Sequence, residues 1–267
     1  MSVSRRQFLG LATAGVALGS VSHAWAAPAS SVAERLAAIR ADHPLLPALK
    51  LAGESLEAVC RIEGYEATFI KNEMIGRKML STQMLVKVRH NPFSVYMKFV
   101  TPHEGREVIY VEGQNDGKIL AHETGFASLI GTVALLPTER RAMEENRYPI
   151  TGFGLKKLAE GVFENLLQDA AGEGPTVSFY PQARIGDIAC RTMEVTYARP
   201  TENRPFQTSR LYIEQATSLP VRIQNYQFSS RRNEPAPLVE DYFYTAIKSN
   251  VAVVAQDFDV NNPRYGY

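Results

Sequence analysis

From Arg61 to His122 the sequence alternates apolar and polar residues, broken only by short turn segments. This period of two constrains the fold more than any other feature of the chain. Successive side chains of a strand point to opposite faces, and links this short join antiparallel neighbours. GYEATFIKNEM turns at Ile75-Gly76-Arg77 into KMLSTQMLVKVR, and Asn91-Pro92 leads into FSVYMKFV. Pro102 to Gly105 leads into REVIYVEG, and Asn115-Asp116-Gly117 leads into KILAHE. An Asp-Gly pair between alternating segments is a strong hairpin signal. The stretch therefore reads as about five strands of an antiparallel meander. Phe93, Val95, Met97 and Phe99 point one way, and Ser94, Tyr96 and Lys98 the other. On the preceding strand Met84, Val86 and Val88 oppose Lys87 and Arg89. One face is apolar and one is wet, as expected for a sheet covered on one side.

Helical spacing brackets and interrupts the strands. Ser31 to Val59 repeats apolar residues at helical intervals, with a break near His43-Pro44. TERRAMEEN reads as a short helix from Thr138. Thr151 to Ala171 reads as a longer one, with Leu155, Leu158, Val162, Phe163, Leu166 and Leu167 along one side. Period two returns in TVSFYPQ, IACRTMEVTYA, TSRLYIEQ, PVRIQNYQF and VEDYFYTAI. The expected fold class is α+β. It is a strongly curved antiparallel β-sheet, an open half-barrel of about 10–11 strands, with the helices covering its concave face. No Pro/Gly/Ser-rich linker divides residues 27–267, so they read as a single domain.

The first residues read as a secretory signal. Arg5-Arg6 in SRRQFLG precede a Gly/Ala-rich apolar run that ends in Ala24-Trp25-Ala26, an A-x-A cleavage site. The run is too short and too weakly apolar to span a membrane. The Arg pair with Ser4, Phe8 and Leu9 is similar to a twin-arginine export signal. Residues 1–26 are thus expected to be cleaved and the twin-arginine translocase to be a transient partner. The product would be soluble in the periplasm. In that oxidising compartment Cys60 and Cys190 suggest a disulfide, worth about 4–5 kcal/mol for so long a loop. The alternative is two free thiols.

Composition excludes some classes. With 29 basic and 28 acidic side chains the chain is near neutral, so there is no electrostatic case for nucleic acid. No G-x-S-x-G, Ser-x-x-Lys or Walker motif occurs. Gly152-Phe153-Gly154 lacks a third glycine and reads as a flexible lead into the following helix. His90, His103 and His122 lie at strand ends but have no metal-ligand spacing. No cofactor, no metal and no catalytic residue is expected. Arg106 and Glu107 alternate faces at the start of a strand. One of them should point inward and need a partner, with Arg147 a candidate for Glu107. The adaptable apolar set Met79, Met84, Met97, Phe69, Phe93 and Phe99 suits a cavity wall as well as a core.

The segment from Gly64 to Gly113 resembles LolA-like proteins. The matching pieces are Ala67-Thr68-Phe69-Ile70-Lys71, Asn91-Pro92-Phe93 and Thr101-Pro102. PFSVYMKF, GREVIYVEG and NRYPITGFGL resemble an uncharacterised bacterial family of unknown function near the LolA/LolB group. The resemblance implies an open half-barrel closed by helices around an apolar cavity. That cavity would be lined by Phe69, Met84, Val86 and Val88, and by Phe93, Val95, Met97 and Phe99. Arg106, Glu107 and Arg147 would contact a polar head group. The specific lipoprotein-carrier role is not carried over, because this chain is longer and its middle helical insertion differs. The expected function is a non-catalytic periplasmic binding protein. Its partner would be an apolar or lipidic small molecule, an envelope protein or a lipoprotein. An unrecognised envelope enzyme and a sensor module binding another envelope protein are the alternatives.

Overall fold

The computed structural model describes residues 31–125, 131–172, 174–201, 204–229, 234–249 and 251–267. The expected signal peptide lies outside them. The early helical segment forms α1 (Val32–Ala37) and α2 (Leu46–Cys60), the second starting with Pro47 in its first turn, where the missing N–H is no loss. The meander follows as β1 (Gly64–Ile75), β2 (Lys78–His90), β3 (Phe93–Thr101), β4 (Glu107–Val111) and β5 (Ile119–His122). A short β6 (Thr132–Leu135) and the one-turn α3 (Arg140–Met143) come next, then α4 (Leu155–Asp169). The second meander is β7 (Thr176–Ile185), β8 (Ile188–Thr196), β9 (Phe206–Glu214), β10 (Pro220–Gln227) and β11 (Leu238–Lys248).

All 11 strands join one antiparallel sheet in the order β6-β5-β4-β3-β2-β1-β11-β10-β9-β8-β7. Pairing otherwise runs within each meander, and the two meet where β1 pairs β11, with Phe69 opposite Tyr244. Among the described residues no pairing joins β6 to β7, and the sheet is open there. The sequence pattern located ten of these strands. It missed β6, whose four half-buried or exposed residues at the sheet edge carry too little alternation to register. It also overstated α3, which has a single turn.

Register turns alternation into ladders. Ala67, Val86, Met97, Val108, Ala121 and Val133 lie opposite one another in turn across β1 to β6. This face is covered by α2 and α4. Phe163 of α4 is 0% exposed and contributes about 1.5–3 kcal/mol by burial. The helices approach closely because α2 carries Gly53. A Cβ there would stand 2.7 Å from Val32 and 3.5 Å from the Phe163 ring. α4 is fixed at both ends and along its side. The Leu155 N–H donates to the Tyr65 oxygen at 3.0 Å. Arg35 grips Glu164 with two bonds of 2.5 Å. Asp169 accepts from the Tyr197 hydroxyl at 2.6 Å and from Arg204 at 3.0 Å. Gly154 is no flexible lead: its φ is 106°, and a Cβ would meet the Tyr65 hydroxyl at 3.2 Å. Glycine is needed there.

The opposite face corrects the sequence reading. Ser94 and Tyr96 were expected in water, yet both are buried. Residues 251–267 fold back over β3 and β4. There Phe258 packs with Tyr96, Ile109 and Val111, and Tyr265 stacks on Tyr96 at 4.1 Å and 7°. Asp257 binds Lys87 at 2.5 Å. Here the sheet is covered on both sides.

The expected Cys60–Cys190 disulfide is also corrected. Both thiols are free. Cys60 is exposed at the end of α2, whereas Cys190 is buried in β8 with its thiol directed to the Ile188 carbonyl at 3.7 Å. A bond requires sulfurs about 2 Å apart, and these side chains occupy different environments. Among the described residues no helix is long and apolar enough to cross a membrane.

Candidate functional site

The curvature of the sheet and the single pair of covering helices leave space between them. A cleft of about 650 Å³ opens on the helix side of the sheet, inside the range of roughly 300–1,000 Å³ usual for ligand sites. Its wall reaches from Val133 and Leu135 of β6 to Val195 of β8 and Ser209 of β9. Strands far apart in the sheet order therefore face one hollow. Phe153, Leu158 and Val162 close it from the helix side.

The sequence-derived residues divide. Phe69, Met84, Met97 and Phe99 line the cleft, as does Arg106. Val86 and Val95 are buried in the core beside it. Val88 and Phe93 border a second, smaller hollow of about 270 Å³ near the start of α4. Glu107 faces away from the cleft, because it alternates with Arg106. It is 1% exposed beneath the C-terminal segment, accepting from the Tyr96 hydroxyl at 2.9 Å and the Gly266 N–H at 2.7 Å. Arg147 does not pair with it. Instead Arg147 Nε lies 2.6 Å from Glu240 Oε1. Arg106 stays on the cleft side, 2.8 Å from Glu123 and over the Phe99 ring. The three strand-end histidines do not converge. His90 packs against Tyr65, His103 reaches Glu145 and His122 lies beside Tyr267.

The sequence reading missed the polar floor of the cleft. Period two carries Phe69 on to Lys71 and Glu73, so these share its inward face. Both are buried, as are Asn225 of β10 and Glu240 of β11. Lys71 donates to the Glu145 carbonyl at 2.8 Å and to Asn146 at 2.5 Å, and lies 3.3 Å from Glu73. Glu73 also accepts from the Tyr242 hydroxyl and from the Arg147 N–H at 3.2 Å. Glu240 accepts from Tyr148 at 2.8 Å and from Asn225 at 2.7 Å. Phe69 parity was the signal available in the sequence. Every carboxylate oxygen on this floor is engaged by the protein. The pair holds residues 145–148 against the sheet.

Burial sets the electrostatics. It pushes the Glu240 carboxyl above its ordinary value, with Glu73 adding to the rise, while bonds from Asn225, Tyr148 and Arg147 oppose it. Burial likewise lowers the Lys71 ammonium. A carboxyl raised in the folded state binds its proton more tightly there than in the unfolded chain. Its contribution to stability is therefore neutral below about pH 4.5 and falls as pH rises through the raised value. We expect the Glu240→Gln protein to gain stability relative to the wild type as pH increases from 4.5. Denaturant unfolding of both proteins across that range measures the difference. A difference that does not change with pH would contradict the raised value.

An open antiparallel sheet with a helix-covered cleft, apolar in its walls and polar on its floor, defines a protein built around an internal cavity. The chain belongs to the family of proteins of unknown function designated DUF1571, whose pattern spans residues 62–267. The sequence expectation of an uncharacterised family of unknown function is met. No curated protein matches the chain. Among solved structures it is similar to a DUF1329 family protein from Desulfovibrio piger, with 12% identity and a TM-score of 0.39 over 81% of this chain and 98% of the other. It is similar to the lipoprotein LppX of Mycobacterium tuberculosis, at 15% and 0.46 over 78% and 99%. A LolA superfamily protein from Nitrosomonas europaea matches at 10% and 0.33 over 79% and 96%.

Proposed function

We propose that this protein binds an apolar or lipidic ligand in the cleft between the sheet and α4, in the bacterial periplasm and without chemistry. The observation that carries the reading is the 650 Å³ cleft itself, walled by Met84, Met97, Phe99, Phe153 and Val162. Met and aromatic side chains adapt to chains of varied shape, and apolar area withdrawn from water supplies about 25 cal/mol per Å². The LolA/LolB resemblance of the sequence points the same way. The signal at residues 1–26, read as twin-arginine, supports the location.

A neutral fluorescent probe, N-phenyl-1-naphthylamine, tests the site. It should bind saturably with enhanced emission. Leu158→Trp, which fills the cleft from α4, should weaken it about tenfold or more, a loss of about 1.4 kcal/mol. Val254→Trp, at an exposed site on the C-terminal segment, should leave it unchanged. Equal weakening by both, or by neither, would place the probe elsewhere.

A further inference from the structure

The floor of the cleft is an ordered ladder. Glu73, Glu240, Asn225 and Ser209 stand directly opposite one another on β1, β11, β10 and β9. At the β1–β11 end the charges cancel within the protein, Lys71 and Arg147 against Glu73 and Glu240. At the β10–β9 end the situation differs. Asn225 is 6% exposed and lines the cleft, and its Oδ1 has no partner among the described residues. The amide cannot turn round to relieve this. Its NH2 group is held 2.7 Å from Glu240 Oε2, and only that side of the amide can donate to a carboxylate. Ser209 also lines the cleft, opposite Asn225.

A buried carbonyl oxygen accepts and never donates, so it selects a ligand that brings a proton. A hydroxyl does so. An ionised carboxylate or phosphate does not, and it would approach the Glu240 carboxylate next along the ladder. The Phe69–Met84–Phe99 row lies on the same wall, so a chain attached to such a head can lie on apolar side chains. We propose that Asn225 and Ser209 form the head-group subsite of the cleft and that it takes a neutral, hydroxyl-bearing amphiphile. The inference rests on the lipid-binding reading above.

Titration calorimetry with monolauroylglycerol and with laurate, which share one acyl chain, tests it. The wild type should bind monolauroylglycerol about tenfold tighter than laurate. Ser209→Ala and Asn225→Leu should shrink that preference to about threefold or less. Asn225→Leu also removes a donor from Glu240. Ser209→Ala removes only a half-buried hydroxyl and keeps the test valid if the first variant fails to fold. Equal affinities, a preference for laurate, or a preference that survives Ser209→Ala would overturn the subsite while leaving the cleft a lipid site. Failure of both probes to bind the wild type would instead refute the binding reading, and the subsite with it.

Discussion

Removal of residues 249–267 is expected to abolish the cooperative thermal transition of this protein. The segment completes a second core. Tyr96, Ile109 and Val111 are buried only because Phe258, Tyr265 and the neighbouring residues cover that face. Each large apolar side chain withdrawn from water contributes about 1.5–3 kcal/mol. Several such side chains together approach the whole stability of an ordinary domain, about 5–15 kcal/mol. Truncation also removes the Gly266 N–H and the Tyr265 stack, leaving Glu107 with the Tyr96 hydroxyl and the Lys98 ammonium at 3.4 Å. Circular dichroism during heating measures the outcome. A truncated protein that melts within about 4 °C of the intact one, equivalent to roughly 1–2 kcal/mol, would contradict this account of the convex face.

Arg147→Ala should cost about 3 kcal/mol, the low end for breaking a buried pair, because the arginine side chain keeps 31% of its surface in water. The variant strands Glu240, which is 1% exposed. It also releases the bond to the Met74 carbonyl at 3.1 Å. The melting temperature should fall by roughly 6–12 °C. The double variant Arg147→Ala with Glu240→Gln should recover most of that loss, since a neutral amide needs no counter-charge. Arg106→Ala provides the contrast. Its partners Glu123 and Glu145 are more exposed, so its loss should stay below about 1 kcal/mol. If the double variant is as unstable as Arg147→Ala alone, the stranded charge is not the cause.

What the sequence disclosed follows from where the information sits. Alternation over long strands located ten strands, because period two is a local property of each strand. It also placed Phe69, Met84, Met97 and Phe99 on one face. It offered Arg147 as the partner of Glu107, wrongly, since strand parity says which face a side chain takes and nothing about which distant element covers that face. The same limit hid the C-terminal segment, whose aromatic residues show no periodicity, and it misread Ser94 and Tyr96 as wet. The polar floor was legible in part. Lys71 and Glu73 follow Phe69 at intervals of two, yet charged residues on an apolar face are easily assigned to water. Their partners Glu240 and Asn225 come from the other meander and are joined to them only by the β1–β11 register. The disulfide reading failed because an even cysteine count carries no distance.

Native mass spectrometry of the protein exported by its own host, with an organic extract of the same sample analysed alongside, tests the central claim most directly. The account predicts a stoichiometric adduct that is lost on denaturation and recovered in the extract as an apolar or lipidic compound. A bare mass that stays bare after incubation with total envelope lipids would contradict it.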